Sequence, residues 1–318
     1  MHGISVAWVN FSDTDTDTDT DTALGRTTGA PILDRRSATF ATLPAIVIAT
    51  NDNDRNWSSI CDVALNETDF QRFAGELTQS IAANPFAATT LAILLRGSGS
   101  RSIEEGLITE STTYSLLQGG PEFSHWLAGR GEKPVAQSTD AAVLVELVDG
   151  TLQISLNRPD RHNAFSRSMR DALVGALMIS LDEGTMRVLL TGRGKSFCSG
   201  GDLAEFGTFA STIESHLTRL TRSPAWLMAQ LASRTTACIH GASFGAGIEL
   251  PAFAHDVAAA PDTRFCLPEI SLGLIPGAGG TVSLPRRIGR HRTALLGLSG
   301  SVIDTATALA WGLIDRIV

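Results

Sequence analysis

Two glycine-rich loops, each placed directly after an apolar strand pattern, constrain the fold of this chain most strongly. The run RVLLTG (187–192) predicts a buried strand and leads into GKSFCSGGDLAEFG (194–207). Further along, RTTACIH (234–240) leads into a second loop, GASFGAG (241–247), and a third glycine cluster, PGAGGT, occupies 276–281. Strands that alternate with helices indicate an α/β fold, and such folds bind ligands at strand ends. The sequence therefore predicts an α/β fold with a ligand site at these loops.

The segments before the first loop fit the same pattern. A hairpin is predicted over 143–156, because apolar residues alternate on both sides of Asp149 and Gly150, a pair that favours a tight turn. A helix is predicted to follow near Ser166 to Met178. We therefore expect residues 133–318 to form one α/β core.

A mainly helical region is predicted ahead of that core, over 38–132. Its first part, PAIVIAT (44–50), predicts a short buried strand. Phe73, Leu77 and Ile81 then recur at helical spacing, which places them on one apolar face of a helix. We expect further helices up to the start of the core.

Composition argues against several classes of partner. The 318 residues carry a formal net charge of −8, which argues against nucleic acid. No run approaches the roughly 20 apolar residues of a membrane span. The four cysteines lack metal-ligand spacing, so we expect reduced thiols in a cytoplasmic protein and no metal. The acidic repeat DTDTDTDTDT (13–22) cannot bury an apolar core, and 1–37 is predicted to be a disordered tail.

The glycine loops and two glutamates together predict acid/base chemistry beside a stabilised oxyanion. Glycine lets a ligand approach the backbone, and the N–H groups that begin a helix have no internal acceptor. Two such loops indicate a pair of donors for an oxygen that gains negative charge during a reaction. Glu249 follows the second loop. Glu269 stands in the apolar run FCLPEISLGL (265–274), where an ionisable group is costly unless it is paired or functional.

Five segments of the second half occur in the order and at the spacing of a known family. They are LNRPDRHNAF (156–165), GKSFCSGGDL (194–203), GASFGAGIEL (241–250), FCLPEISLGLIPGAGGT (265–281) and ALAWGLIDRIV (308–318). With them, the chain from about 143 to 318 resembles the enoyl-CoA hydratase/isomerase (crotonase) superfamily. The resemblance implies a ββα spiral core whose bare glycine backbone holds a coenzyme A thioester as substrate, with no other cofactor.

The resemblance also implies candidate site residues. The backbone N–H groups of Gly201 and Ala246 would form an oxyanion hole for the thioester carbonyl, and Glu249 and Glu269 would be catalytic. The family usually carries glycine where Ala246 stands, but alanine keeps the N–H group. Pro251 is a departure: a proline is acceptable in the first turn of a helix, whereas a deeper one would kink the helix and move Glu249. The residues implied to contact coenzyme A are Arg161, Asn163, Ala164, Gly200, Asp202 and Gly277.

Members of the family that hydrate enoyl-CoA resemble this chain in carrying both acids. The resemblance therefore implies a lyase of fatty acid metabolism in which Glu249 activates a water and Glu269 gives a proton to the α-carbon. Alternatives within the superfamily are double-bond isomerisation, decarboxylation, thioester hydrolysis and cofactor-free oxygenation. A further alternative is a non-catalytic acyl-CoA-binding subunit. The resemblance also implies a homo-oligomer, either a trimer or a hexamer.

The order of the segments departs from that of the family. Family members continue past GLIDRIV with helices that cover the acyl site and pack in the trimer, whereas this sequence stops there. Residues 69–128 resemble that tail. The match rests on Asn84-Pro85, Glu104 to Leu107, Glu110, Tyr114 and Phe123. We therefore expect a circularly permuted arrangement, in which the helices of 38–132 take the place of the C-terminal ones.

Overall fold

The computed structural model describes residues 5–10, 45–50, 61–131, 139–182 and 186–318. Three parallel strands, β1 (Ser5–Asn10), β2 (Ala45–Thr50) and β3 (Val63–Leu65), form the first sheet in that order. β2 confirms the strand predicted from PAIVIAT. β1 falls within the segment predicted to be disordered, and the rest of 1–37 lies outside the described residues.

Four helices follow this sheet, and each begins or ends for a local chemical reason. They are α1 (Glu67–Ala83), α2 (Pro85–Arg96), α3 (Ile103–Gln118) and α4 (Pro121–Arg130). Asn66 caps α1 by accepting a hydrogen bond from the Asp69 N–H. Asn84 ends α1, because the residue before a proline avoids the helical region. Ser102 and Glu105 form a capping box at the start of α3.

Two sheets form the centre of the second part. Its strands are β4 (Val143–Val148), β5 (Thr151–Leu156), β6 (Arg187–Gly192), β7 (Thr235–Ile239), β8 (Ala242–Phe244), β9 (Asp256–Ala259), β10 (Arg264–Cys266), β11 (Ile303–Asp304) and β12 (Arg316–Ile317). The larger sheet has the order β12-β9-β7-β6-β5-β4, and only β4 and β5 pair antiparallel in it. The smaller sheet has the order β11-β10-β8.

The predicted hairpin joins β4 to β5. Asp149 and Gly150 have φ values of +48° and +73°, as a tight hairpin turn requires. The apolar side chains of β5 are buried. In β4 Val143 is buried whereas Val145 and Leu147 are exposed, since β4 is the edge strand of the sheet.

Seven α-helices accompany these sheets within the described residues 139–182 and 186–318. They are α5 (Arg167–Asp182), α6 (Thr212–Thr221), α7 (Pro224–Gln230), α8 (Ala246–Glu249), α9 (Gly280–Ile288), α10 (Arg290–Ser299) and α11 (Thr305–Trp311). α5 confirms the helix predicted near Ser166 to Met178, and its residues Met169, Leu173 and Leu177 are buried.

The N-terminal helices pack directly on this second part. α1 and α2 lie against α10, and α3 lies against α6 and α9. The ring of Phe73 in α1 faces that of Trp311 in α11, with centroids 6.4 Å apart. Leu91 in α2 lies so near Gly297 in α10 that a Cβ on this glycine would come within 2.8 Å of it. The two parts therefore share one hydrophobic core. None of the helices in the described ranges is both long enough and apolar enough to cross a membrane.

Candidate active site

The two glycine loops that follow β6 and β7 lie side by side. The Cys198 N–H donates to the Ala242 carbonyl at 3.1 Å, and the Phe244 N–H donates to the Cys198 carbonyl at 2.9 Å. Gly200 has a φ of +93° and Gly245 a φ of +49°, which L side chains rarely adopt. A Cβ on Gly245 would lie 3.5 Å from the Gly200 Cα. The loops therefore touch at two glycines that no larger residue can replace without strain.

Gly201 and Ala246 directly follow those two glycines, and both line one cavity. Ala246 is the first residue of α8, where a helix leaves the N–H group without an internal acceptor. Within the described part of the chain, neither backbone N–H donates a hydrogen bond. A Cβ at position 201 would lie 2.7 Å from the Phe206 ring, so any larger residue there would require that ring to move. The two loops thus place two unpaired N–H groups at the cavity wall.

The cavity has a volume of about 450 Å³, and both parts of the chain contribute to its wall. Glu110 and Tyr114 come from α3, and Arg219 comes from α6. Glu249 and Glu269, the two predicted acids, face the same cavity. Among the residues that the structure describes, no cluster of His, Cys, Asp and Glu side chains is arranged to hold a metal ion.

Glu249 is held by the third glycine cluster. It is the last residue of α8 and is 2% exposed. Its Oε2 accepts hydrogen bonds from the Ala278 N–H at 2.7 Å and the Gly280 N–H at 2.8 Å. Pro251 begins a separate 3-10 turn (Pro251–Phe253), so α8 has already ended and the proline does not kink it.

Glu269 begins a 3-10 turn (Glu269–Leu272) that follows β10. Its Oε2 is buried and finds no hydrogen-bond partner among the described residues. Burial raises the pKa of Glu269 to about 8, and the negative charge of Glu110 acts in the same direction. Burial, Glu269 and Glu110 also raise the pKa of Glu249 well above its usual value, whereas its two N–H donors lower it. The pair can therefore keep a proton near neutral pH, as acid/base transfer requires.

Glu110 is a third buried carboxylate at this cavity, and no functional role was predicted for it from the sequence. It is 3% exposed. Its Oε1 accepts from the Gly279 N–H at 2.7 Å, and its Oε2 accepts from the N–H and hydroxyl of Thr281 at 2.8 and 2.7 Å. Burial raises its pKa to about 7 despite these donors. The four-residue spacing of Gly106, Glu110 and Tyr114 is the signal that places it on the packed face of α3.

The glycines of 276–281 allow this close packing between backbone and side chains. A Cβ on Gly277 would lie 2.4 Å from the Tyr114 ring, and a Cβ on Gly280 would lie 2.6 Å from the Glu249 Cγ. Gly279 has a φ of +100°, which favours glycine on conformational grounds alone. The cluster therefore fits between α3 and Glu249.

The structure brings only some of the predicted coenzyme A contacts to the cavity. Asp202 and Gly277 line it. Asn163 is fully buried, and its side-chain amide is bonded to the backbone of Arg158, Arg193 and Ser196. Its amide therefore ties the neighbouring loop segments together. The predicted residues outside the cavity wall are Arg161, Asn163, Ala164 and Gly200.

Comparison with known proteins identifies relatives of the second part of the chain. A family model described as enoyl-CoA hydratase/isomerase matches residues 146–318. The 1,2-epoxyphenylacetyl-CoA isomerase of Escherichia coli (strain K12) is 32% identical over 185 residues, which cover 55% of this chain and 69% of that protein. The 2,3-dehydroadipyl-CoA hydratase of the same organism is 32% identical over 179 residues, which cover 55% of this chain and 68% of that protein.

Solved structures of enoyl-CoA hydratases are similar to this chain in fold. The crystal structure of an enoyl-CoA hydratase from Mycobacterium smegmatis is 30% identical, with a TM-score of 0.52, and the match covers 56% of this chain and 70% of that one. An enoyl-CoA hydratase from Thermoplasma volcanium is 30% identical with a TM-score of 0.51, covering 56% and 72% of the two chains. The second part of the chain therefore has the crotonase fold. The chain belongs to the enoyl-CoA hydratase/isomerase (crotonase) family of enzymes.

Proposed function

We propose that this protein hydrates an α,β-unsaturated acyl-CoA. One observation carries the proposal: Glu249, which is buried, and Glu269, whose Oε2 is buried, share a cavity with the N–H groups of Gly201 and Ala246, which have no acceptor among the described residues. Relatives of this chain include an acyl-CoA hydratase and an acyl-CoA isomerase. Two carboxyl groups that face one cavity favour hydration, because the reaction removes one proton from water and delivers another to carbon.

The two N–H groups would act as an oxyanion hole. Attack of water on the β-carbon moves the electron pair of the C=C bond toward the α-carbon and the thioester oxygen. That oxygen gains negative charge where Gly201 and Ala246 offer donors that no protein acceptor in the described residues competes for. Loss of one such donor costs on the order of 2.7–4 kcal/mol of transition-state stabilisation.

Glu249 would take a proton from the attacking water while Glu269 gives its proton to the α-carbon. The hydrogen bonds support this assignment. Glu249 Oε2 accepts two N–H groups, which favour a carboxylate, whereas Glu269 Oε2 accepts none, which favours a neutral acid. The hydroxyl joins the β-carbon, the α-carbon gains the proton lost by Glu269, and return of the proton from Glu249 resets the pair.

Hydration of crotonyl-CoA tests the proposal through the loss of its conjugated enoyl-thioester absorbance. We expect rapid loss with the natural protein and a rate lower by at least about 10²-fold in Glu269→Gln, because the amide cannot donate the proton. Glu146→Gln is the matched control, since Glu146 is exposed on β4 and is not among the residues of the cavity wall. This control should keep the natural rate.

Circular dichroism establishes that the variants are folded. A folded Glu269→Gln protein with near-normal turnover would remove Glu269 from the mechanism. If the natural protein leaves crotonyl-CoA unchanged, mass spectrometry of other acyl-CoA esters identifies isomerisation, decarboxylation, hydrolysis or oxygenation by their different products. Binding of these esters without any turnover would favour a non-catalytic subunit.

Three further features stay predictions of the family resemblance. They are the coenzyme A contacts of the residues named above, a homo-oligomer of three or six chains, and a cytoplasmic location. The exposed position of Arg161 and the cavity position of Asp202 are compatible with contacts to different portions of a long thioester.

A further inference from the structure

Glu110 holds the same backbone segment that holds Glu249. In 278–281, the N–H groups of Gly279 and Thr281 donate to Glu110, and the two alternate N–H groups donate to Glu249. The Thr281 hydroxyl adds a third bond to Glu110. The segment is thus fixed by two carboxylates that come from different parts of the chain.

This shared segment couples the two carboxylates mechanically. Each N–H group of 278–281 belongs to a peptide unit that is covalently joined to the next, so a rotation that releases one donor moves its neighbour. Loss of the Glu110 contacts would leave two buried N–H groups without an acceptor, and the segment would shift to satisfy them. Such a shift would move the donors of Glu249.

Glu110 also sets the charge that the acid/base pair experiences. Its negative charge raises the pKa of both Glu249 and Glu269. Arg219 opposes this effect by lowering the pKa of Glu110, and its guanidinium lies over the Tyr114 ring with 4.5 Å between the guanidinium carbon and the ring centroid. The hydrogen-bond partners of Arg219 are the neutral groups of Ser111, Ser115, Gln118 and Ser215.

We propose that Glu110 is a positioning residue for Glu249 and an electrostatic partner of the acid/base pair, so that the N-terminal helices supply part of the catalytic machinery. The kinetic effect expected of this role for Glu110 rests on the proposed hydratase function. The expected effects on structure and on the titration of Glu269 do not, because they are measured on the protein without substrate.

The charged surroundings of this cluster come from several elements. The basic side chains that begin α10, Arg290, His291 and Arg292, are hydrogen-bonded to the backbone carbonyls of Cys61, Asp62 and Trp311. The charged or titratable side chains that line the same cavity are Glu104, Tyr114, Arg167, Arg170, Asp202, Glu205, Arg219, Arg222, Glu249 and Glu269. On elements packed against Glu110, His216 of α6 is bonded to the Ser111 hydroxyl, and α9 carries Arg286 and Arg287. On elements near Glu269 stand Glu76 of α1, Glu122 of α4 and Cys266 of β10.

A titration without substrate tests the electrostatic part. Carbon-13 NMR of protein labelled at the glutamate carboxyl carbons follows each buried group, and Glu269→Gln identifies the Glu269 signal. In Glu110→Gln we expect the Glu269 midpoint to move to lower pH, because removal of a neighbouring negative charge stabilises the ionised form. Glu105 is exposed on the same helix, so Glu105→Gln should leave the titration midpoint of Glu269 unchanged. An unchanged midpoint in Glu110→Gln overturns the proposal, whether or not the protein hydrates enoyl-CoA.

Kinetics with crotonyl-CoA test the positioning part. In Glu110→Gln we expect kcat to fall on the order of 10²-fold with KM unchanged, because misplacement of a reacting group slows the chemical step more than it weakens binding. The basic limb of the pH profile should move to lower pH together with the Glu269 midpoint. A raised KM with unchanged kcat would contradict positioning, as would a pH profile identical to that of the natural protein.

Thr281→Val keeps the test decisive if Glu110→Gln does not fold. It removes the hydroxyl donor to Glu110 but keeps the side-chain shape and both carboxylates. We expect a smaller loss of kcat, again with KM unchanged. A folded Thr281→Val protein with natural kcat would overturn the proposal in that case.

Discussion

Glu269 stands in a stretch of sequence that is apolar on both sides, and its Oε2 has no hydrogen-bond partner within the described ranges. Water stabilises a carboxylate, so burial raises the pKa of Glu269, and the hydrogen bond from its own backbone N–H only partly offsets this effect. Glu249 is buried as well, and burial and the charges of Glu269 and Glu110 raise its pKa, whereas two backbone donors stabilise its charge. At the residue scale, these two donors, which Glu269 Oε2 lacks, are what favours Glu249 as the base in the proposed mechanism.

The acid role proposed for Glu269 predicts an upper pH limit for hydration. Burial raises the pKa of Glu269 to about 8, so the acid is protonated at neutral pH and loses its proton as pH rises through that value. We expect kcat/KM for crotonyl-CoA to fall tenfold for each pH unit well above 8, as Glu269 loses its proton.

The control for this prediction is substrate binding, measured by calorimetry on both sides of pH 8. Binding that is equal at the two pH values assigns the loss to the chemical step. A rate that stays constant up to pH 10 would mean that no proton from Glu269 is needed.

At the element scale, the sequence was sufficient to predict those helices and turns whose cause is local. The face of Phe73, Leu77 and Ile81 identified α1, and the pair Asp149 and Gly150 identified the turn between β4 and β5. These features depend on residues a few positions apart, which periodicity and turn chemistry capture.

Glu110 shows where this local reasoning ends. Its acceptor atoms bind N–H groups that lie 169 and 171 positions further along the chain. A helical pattern places Glu110 on the packed face of α3, but it does not say which backbone that face will meet. The same holds for Asn163, whose three backbone partners come from two separate loop segments. Packing across the fold, not local pattern, assigns these side chains their partners.

The junction of the two glycine loops gives an element-scale prediction. Gly245 has a φ of +49°, and a Cβ on it would lie 2.5 Å from the Glu269 Oε1. We expect Gly245→Ala to displace the Glu269 carboxyl and to lower kcat for crotonyl-CoA on the order of 10²-fold. Backbone strain adds a stability cost of about 1–3 kcal/mol, measured by chemical denaturation.

Gly312→Ala is the matched control for this change. Gly312 has a φ of +80°, but a Cβ on it would come no nearer than 3.8 Å to a neighbouring atom. It should lose stability through backbone strain and keep its turnover. Equal losses of kcat in the two variants would show that strain, and not the Glu269 contact, controls activity.

At the scale of the whole molecule, helices that precede the family core form one wall of its cavity. The family model covers residues 146–318, and the solved relatives are matched over about 70% of their length. The start of α1 lies beside the end of the chain: Arg72 donates to the Thr307 hydroxyl at 3.4 Å, and Phe73 faces Trp311. We propose from this proximity that the chain is a circular permutation of the usual family order, as the resemblance of residues 69–128 implied.

A rearranged chain tests the permutation directly. It begins at Glu132, runs to Val318, continues through a flexible glycine–serine linker into Met1 and ends at Gly131, so it keeps every residue of the natural chain. Because α1 already lies next to α11, we expect this chain to fold in one cooperative thermal transition and to hydrate crotonyl-CoA with a kcat close to the natural one.

The fragment 132–318 is the control, since it lacks α3 and with it the Glu110 wall of the cavity. In this fragment only Glu249 remains to accept hydrogen bonds from 278–281, and we expect the loss of hydratase activity. Full activity in this fragment would mean that the N-terminal helices are an addition to a complete site. An inactive or unfolded permutant would mean that the order of the segments matters, because the same contacts would then fail to form when only their covalent connection has changed.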